Sequence, residues 1–104
     1  MRCKRCTPVP EEVRRAAGLL ERRWTVSVLY ASYEGAIRFN EFRQAVGEIP
    51  PRTLVQRLTE LEDAGLIARR VHDARPPRVE YTLTDEGRRL KSVVDALVRF
   101  AAAT

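Results

Sequence analysis

"RRVHDARPPRVEYTLTDEG", residues 69–87, decides the fold, because a basic, proline-rich loop comes directly before a stretch in which apolar and polar residues alternate. In this stretch, Val79, Tyr81 and Leu83 share one face of a strand. The preceding "LIARRV" supplies a second strand of matching length. The pattern therefore predicts a β-hairpin over about residues 67–84.

The loop of this hairpin is unusually stiff and basic. It is too long for a two-residue turn, and Pro76 and Pro77 restrict its backbone while withholding donors from further strand pairing. Two arginines, Arg75 and Arg78, flank the prolines. We expect a rigid tip that presents positive charge.

Upstream of the hairpin, the apolar spacing is typical of short helices. Val13, Ala16, Ala17 and Leu20 form one face of a helix over 11–20.

A second helix is predicted over 24–33, with Trp24 in the core, and Gly35 ends it. The segment "AIRF", 36–39, is predicted as a short strand. Asn40 is then the expected N-cap of a third helix, which ends at Gly47.

Residues 51–64 form the most informative helix. Leu54, Leu58 and Leu61 recur at i, i+4 and i+7, and Gly65 ends the helix. At about 100° per residue, the opposite side is basic and amide-bearing. It collects Arg52, Thr53, Val55, Gln56 and Thr59, with Arg57 on its flank.

Acidic residues occur only in the second half of this helix. They are Glu60, Glu62 and Asp63. A polyanion can therefore approach only the N-terminal half, which is how a recognition helix enters the major groove of DNA.

The chain is predicted to end in a long amphipathic helix over about 85–102. Thr84 is its expected N-cap, followed by acidic residues that suit the helix dipole. Its apolar stripe is longer than a domain of this size can bury, so we expect a partner chain to cover it. The predicted dimer interface consists of Leu90, Val93, Val94, Leu97 and Val98.

Length and charge set the class of protein. The 104 residues suit one domain, predicted over 9–104 after a flexible tail at 1–8. The net charge of +5 favours a polyanionic partner. No apolar run approaches the roughly 20 residues of a membrane span, and the N-terminus does not resemble a signal peptide. We expect a cytoplasmic protein without a membrane partner.

The sequence does not favour an enzyme. It has one histidine, no glycine-rich phosphate loop and no carboxylate pair apart from the charged helix faces, so we expect no catalytic site and no cofactor. Cys3 and Cys6 are the only cysteines. With the distant His72 they offer too few ligands for zinc, so we expect no metal site. The two thiols are either redox-sensitive, activated by neighbouring basic residues, or inert.

Four segments resemble the HxlR family of winged-helix transcriptional regulators, relatives of the MarR group. They are "LLERRW" (19–24), "RFNEF" (38–42), "LVQRLTELEDAGLI" (54–67) and the opening stretch. The last is the most specific, because the family's wing signature is matched by the ordered set Arg69, Val71, Pro76, Val79, Tyr81, Leu83, Thr84 and Gly87. The implied fold is mainly α with a small β-hairpin (α+β), a winged helix-turn-helix domain with a terminal dimerisation helix.

The resemblance also implies a function. Family members are homodimers, paired through their terminal helices, that bind a roughly palindromic operator in double-stranded DNA. The residues that would contact DNA are Arg43, Arg52, Thr53, Gln56 and Arg57 on the helices, with Arg75 and Arg78 on the wing.

Two further expectations follow from the family. Members that sense oxidants use an N-terminal cysteine, which makes Cys3 and Cys6 candidates for regulation by an oxidant, with a small molecule as the other candidate effector. Pro50 stands where the family commonly has a serine cap, so the recognition helix should begin without a side-chain cap.

One alternative function stays open, that of a winged-helix module that binds a protein and no specific DNA. In that case, the acidic end of the 51–64 helix would contact the partner, and binding would depend only mildly on salt.

Overall fold

The computed structural model describes residues 7–103, so Cys3 and Cys6 lie outside the described part of the chain. Four helices, a two-stranded hairpin and a terminal pair of helices follow one another along the chain. This order confirms the predicted α+β class. The elements are α1 (Glu11–Leu20), α2 (Thr25–Tyr33), α3 (Phe39–Val46), α4 (Pro51–Asp63), β1 (Ile67–His72), β2 (Arg78–Leu83), α5 (Asp85–Arg89) and α6 (Lys91–Ala102).

The core lies between α2, α3, α4 and the base of the hairpin. Phe42 of α3 is fully buried, and its ring meets Tyr81 of β2 edge-on, with the centroids 6.3 Å apart. The other fully buried large side chains come from α2, α4, β1 and α6, namely Val28, Leu29, Leu54, Leu58, Leu61, Ile67 and Val94. This core fixes α4 against the hairpin.

The hairpin is confirmed, with antiparallel pairing from Ile67↔Leu83 to His72↔Arg78. The turn therefore occupies 73–77. The predicted strand at 36–39 is wrong. A single hydrogen bond, from the Tyr81 amide to the Ile37 carbonyl at 2.7 Å, joins this segment to β2 before the chain enters α3.

The predicted cap of α3 is also wrong. The helix begins at Phe39 with Arg38 as its N-cap, so Asn40 lies inside it. The Glu41 carboxylate accepts hydrogen bonds from the amides of Ile37 (3.0 Å) and Arg38 (2.9 Å) and satisfies both donors. These two bonds lower the pKa of Glu41.

The first helix is less buried than its spacing predicts. Most of its expected inner face does not reach the core, since α1 has no buried residue and Val13 is 51% exposed. Of that face, only Leu20 packs against the core. Trp24, with φ of 81°, separates α1 from α2 and is partly buried against the core, as predicted.

The terminal helix forms two segments that meet at Leu90, whose backbone stays in the right-handed helical region. Thr84 is confirmed as the N-cap. Its hydroxyl accepts from the Gly87 amide at 3.1 Å and donates to the Gly65 carbonyl at 2.6 Å. The Tyr33 hydroxyl donates to the Gly87 carbonyl at 2.8 Å. The start of α5 is therefore tied both to the end of α4 and to α2.

Replacing Gly87 should disrupt this junction. A Cβ at this buried position would overlap the carbonyl oxygen of Leu66, so we expect Gly87→Ala to lower the free energy of unfolding by about 2–3 kcal/mol. The matched control is Gly18→Ala in α1, where nothing lies within 4 Å of the added carbon. That variant should gain about 0.5–1 kcal/mol from helix propensity. Urea unfolding followed by circular dichroism checks both, and equal stabilities would contradict the packing described.

Candidate nucleic-acid interface

Buried apolar residues set the rotation of α4, the predicted recognition helix. Leu54 and Leu58 are fully buried, and Leu61 is 2% exposed. Pro51 occupies the first helical turn, and Pro50 is the N-cap without a side-chain hydrogen bond, as predicted. With the leucines facing inward, the opposite side of α4 is available to a ligand.

That opposite side is polar and exposed. Arg52, Gln56 and Thr59 are exposed on it, and Thr53 at its edge is partly buried. On α3, Arg43 is exposed in the last turn. The structure therefore places four of the predicted DNA-binding residues on accessible surface of the two helices.

Arg57 differs from the other predicted contacts. It is 9% exposed, and its Nε donates to the Arg23 carbonyl at 2.8 Å. Its Nη1 lies 2.8 Å from Glu60 Oε1, while Arg22 Nη2 lies 2.9 Å from the second Glu60 oxygen. Because Arg57 is nearly buried and its Nε and Nη1 are bonded within the protein, we leave it out of the DNA-contacting set.

These bonds attach α4 to the turn between α1 and α2. Arg57 and Glu60 belong to α4, whereas Arg22 and the Arg23 carbonyl belong to the turn that contains Trp24. The Arg23 guanidinium carbon lies 4.7 Å from the centroid of the Trp24 ring. The sequence signal for this attachment was the i, i+3 spacing of Arg57 and Glu60, which is typical of an ion pair on a helix.

The wing carries the second group of cations. Arg75 in the turn and Arg78 at the start of β2 are both exposed. His72 Nε2 lies 2.7 Å from Glu80 Oε1 across the hairpin, so the histidine is paired within the wing.

Within residues 7–103, the four exposed arginines of the predicted site form no salt bridge. They are Arg43, Arg52, Arg75 and Arg78. Positive charge without an internal partner is available to an external polyanion.

The predicted dimer face is partly internal. Val94 is 1% exposed and Leu90 packs against the core, so both hold the terminal helices to their own protomer. Val93, Leu97 and Val98 are nearly half exposed, at 45%, 46% and 45%. The sequence analysis missed Phe100, which is 73% exposed on the same helix. At about 100° per residue, Phe100 lies about 20° around the helix from Val93, so the same spacing could have identified it.

Beside this face lies an open, mainly apolar groove of 490 Å³ between α2, α3 and α6. Its lining includes Val26, Tyr30, Val46, Leu97 and Glu34.

Over the described residues, no cluster of three or more acidic, histidine or cysteine side chains could hold a metal ion. Within the same range, none of the helices is both long and apolar enough to cross a bilayer.

The exposed α4, packed behind α3 and beside a two-stranded hairpin, defines a winged helix-turn-helix domain. The model of the HxlR-like helix-turn-helix family matches residues 19–104. The chain belongs to this family, which confirms the resemblance.

Individual relatives agree with this assignment. An HTH-type transcriptional regulator from Methanothermobacter thermautotrophicus is 41% identical over 75 residues, covering 72% of this chain and 57% of the relative. The HTH-type transcriptional regulator YvaP of Bacillus subtilis is 33% identical over 84% of this chain and 81% of its own length. The chain thus spans little more than half of the first relative.

Solved structures are similar as well. The redox regulator HypR in its reduced form superposes with a TM-score of 0.84 at 33% identity, covering 89% of this chain and 92% of HypR. A structure from Porphyromonas gingivalis, described as a MarR-family transcriptional regulator, has a TM-score of 0.84 at 26% identity and covers 95% of this chain and 97% of its own.

The contrast between Arg57 and Arg52 gives a test of this geometry. Arg57→Ala removes a buried side chain and leaves the Arg23 carbonyl without its donor, so we expect a loss of about 1–3 kcal/mol in unfolding free energy. Arg52→Ala removes an exposed, unpaired side chain and should change stability by less than about 0.5 kcal/mol. Thermal and urea unfolding measure both. An equally small effect of the two changes would show that Arg57 is not held as described.

Proposed function

We propose that the protein is a transcriptional regulator that binds operator DNA sequence-specifically as a homodimer in the cytoplasm. The observation that carries the proposal is the exposed face of α4. On this face, the side chains of Arg52 and Gln56 form no salt bridge or hydrogen bond with another of residues 7–103. The family and its relatives, which are described as HTH-type transcriptional regulators, support it.

The distribution of charge along α4 gives the direction of approach. Arg52 and Gln56 belong to the first half of the helix, and Glu62 and Asp63 to the last turn. Because DNA repels the carboxylates, the N-terminal half enters the major groove. There, an arginine can bind guanine and a glutamine can bind adenine with two hydrogen bonds each.

The wing contributes affinity. Arg75 and Arg78 are exposed on the hairpin and form no salt bridge with any described residue, and a guanidinium binds phosphate through paired hydrogen bonds. The same side chains suit a narrow minor groove. We assign the wing to the phosphate backbone beside the groove that α4 occupies.

The exposed side of α6 supports the dimer. Val93, Leu97, Val98 and Phe100 leave apolar area uncovered at the end of a small domain. A second copy that covered it would be related by a two-fold axis, and two α4 helices would then meet two half-sites of a palindromic operator.

Changing Arg52 or Gln56 tests base recognition. Arg52→Ala or Gln56→Ala should reduce the preference for operator over random DNA by about 1–3 kcal/mol per lost base contact. Arg15→Ala is the matched control, because it removes an exposed positive charge from α1. Fluorescence anisotropy with a duplex enriched from a random library, against a scrambled one, measures the preference. An unchanged preference in both variants would rule out base reading by α4.

The same titrations distinguish the alternative function. An interaction module for another protein would bind both duplexes weakly and with mild salt dependence, and Arg52→Ala would leave capture of its protein partner intact. Steep salt dependence together with operator preference supports the regulator.

A charge on α6 tests the dimer. Leu97→Glu places a carboxylate in the exposed apolar face, so we expect the dimer to dissociate to monomers in sedimentation velocity experiments. Val71→Glu is the control, because Val71 is 57% exposed on β1 of the wing. A wild-type protein that sediments as a monomer, or a Leu97→Glu variant that stays dimeric, would contradict this interface.

Regulation by thiol oxidation is the finer part of the proposal, supported by the similarity to the redox regulator HypR. An oxidant would accept two electrons and two protons from a pair of cysteine thiols, which then form a disulfide. Wild-type protein should change its operator affinity on treatment with an oxidant, whereas the Cys3→Ser and Cys6→Ser double variant should not. An identical response of both proteins would exclude the cysteines as sensors.

The groove between α2 and α6 is the candidate site for a small apolar effector.

A further inference from the structure

Val55 is an apolar side chain on the otherwise polar, exposed face of α4. It is 49% exposed, although both neighbours in the leucine stripe, Leu54 and Leu58, are fully buried. At about 100° per residue, Val55 lies about 60° around the helix from Arg52 and about 40° from Thr59. It therefore belongs to the face that we assign to the major groove.

About half of Val55 stays accessible on this face of α4. Thr59, one turn further along, donates its hydroxyl proton to the Val55 carbonyl at 2.9 Å. That donor is used inside the helix and does not compete for a base beside Val55. The adjacent Arg52 and Gln56 supply the hydrogen-bonding groups of the face, so the valine adds a different kind of contact.

The major groove offers one apolar group for such a contact. Each base edge there presents donors and acceptors, and only thymine adds a methyl group, at C5. Valine cannot form a hydrogen bond with its side chain, but it can bury a methyl group. A polar residue at this position would instead favour a donor or acceptor.

We propose that Val55 packs against the C5-methyl group of a thymine and thereby specifies an A·T pair beside the pairs read by Arg52 and Gln56. This inference rests on the proposed function, because it requires α4 in the major groove. It adds a specificity-determining residue that hydrogen-bond reading would overlook.

A single exposed valine is common on protein surfaces, so the test needs a comparison valine. Val13 on α1 is 51% exposed and lies outside both α4 and the wing. Val55→Ala removes both γ-methyl groups and has the higher helix propensity, so loss of binding would not come from a weakened helix.

The experiment uses a duplex that the full-length protein selects from a random library. Each thymine of the selected site is replaced in turn by deoxyuridine, which lacks only the methyl group. We expect one position in each half-site where wild-type binding falls about fourfold, the effect of one buried methyl group. Val55→Ala should bind the thymine duplex about fourfold more weakly and no longer distinguish it from the uracil duplex, while Val13→Ala should behave like wild type.

The outcomes separate the two proposals. If the library yields no preferred sequence, the proposed function fails and this inference fails with it. If a sequence is selected but no thymine replacement weakens wild-type binding, the inference alone is overturned. Discrimination between thymine and uracil that persists in Val55→Ala, while circular dichroism shows the variant folded, also overturns it.

Discussion

The burial of three leucines determines which side of α4 is exposed. Leu54, Leu58 and Leu61 enter the core with almost no exposed surface, and a rigid helix then has one orientation about its axis. That orientation turns Arg52 and Gln56 outward. It also places Arg57 at the boundary, where Glu60 and the Arg23 carbonyl bind its guanidinium group. The chemistry of the exposed face is thus a consequence of packing on the opposite side.

Much of the fold could be predicted from local patterns. The hairpin follows from the alternation in β2 and the proline-rich loop before it, and α4 follows from the leucine period. The start of α3 could not be predicted in the same way. Asn40 is a good cap by residue type, but the Glu41 carboxylate binds the two preceding amides and moves the helix start. Which of two nearby residues caps the helix depends on backbone geometry, and the residue types alone do not show that geometry.

The site was harder to predict than the fold, because exposure depends on distant segments. Helical phase placed Arg57 on a flank, but only tertiary structure brings the Arg23 carbonyl to its Nε. In the terminal helix, the apolar stripe predicted the correct periodicity. It did not show how much of the stripe the rest of the domain covers. Contact with the core buries Val94, while Phe100 lies exposed beyond it. At about 100° per residue, the exposed Val93 and Leu97 lie on one side of the buried Val94 and Val98 lies on the other.

The most direct test of the account is nuclear magnetic resonance of the labelled protein during titration with a duplex selected from a random library. The central claim is that the first half of α4 and the wing form one DNA-binding surface. We predict that the largest amide shift changes occur over 52–59 and 73–78, with little change at Glu62 and Asp63. Changes concentrated at the acidic end of α4, with none in the wing, would contradict the claim.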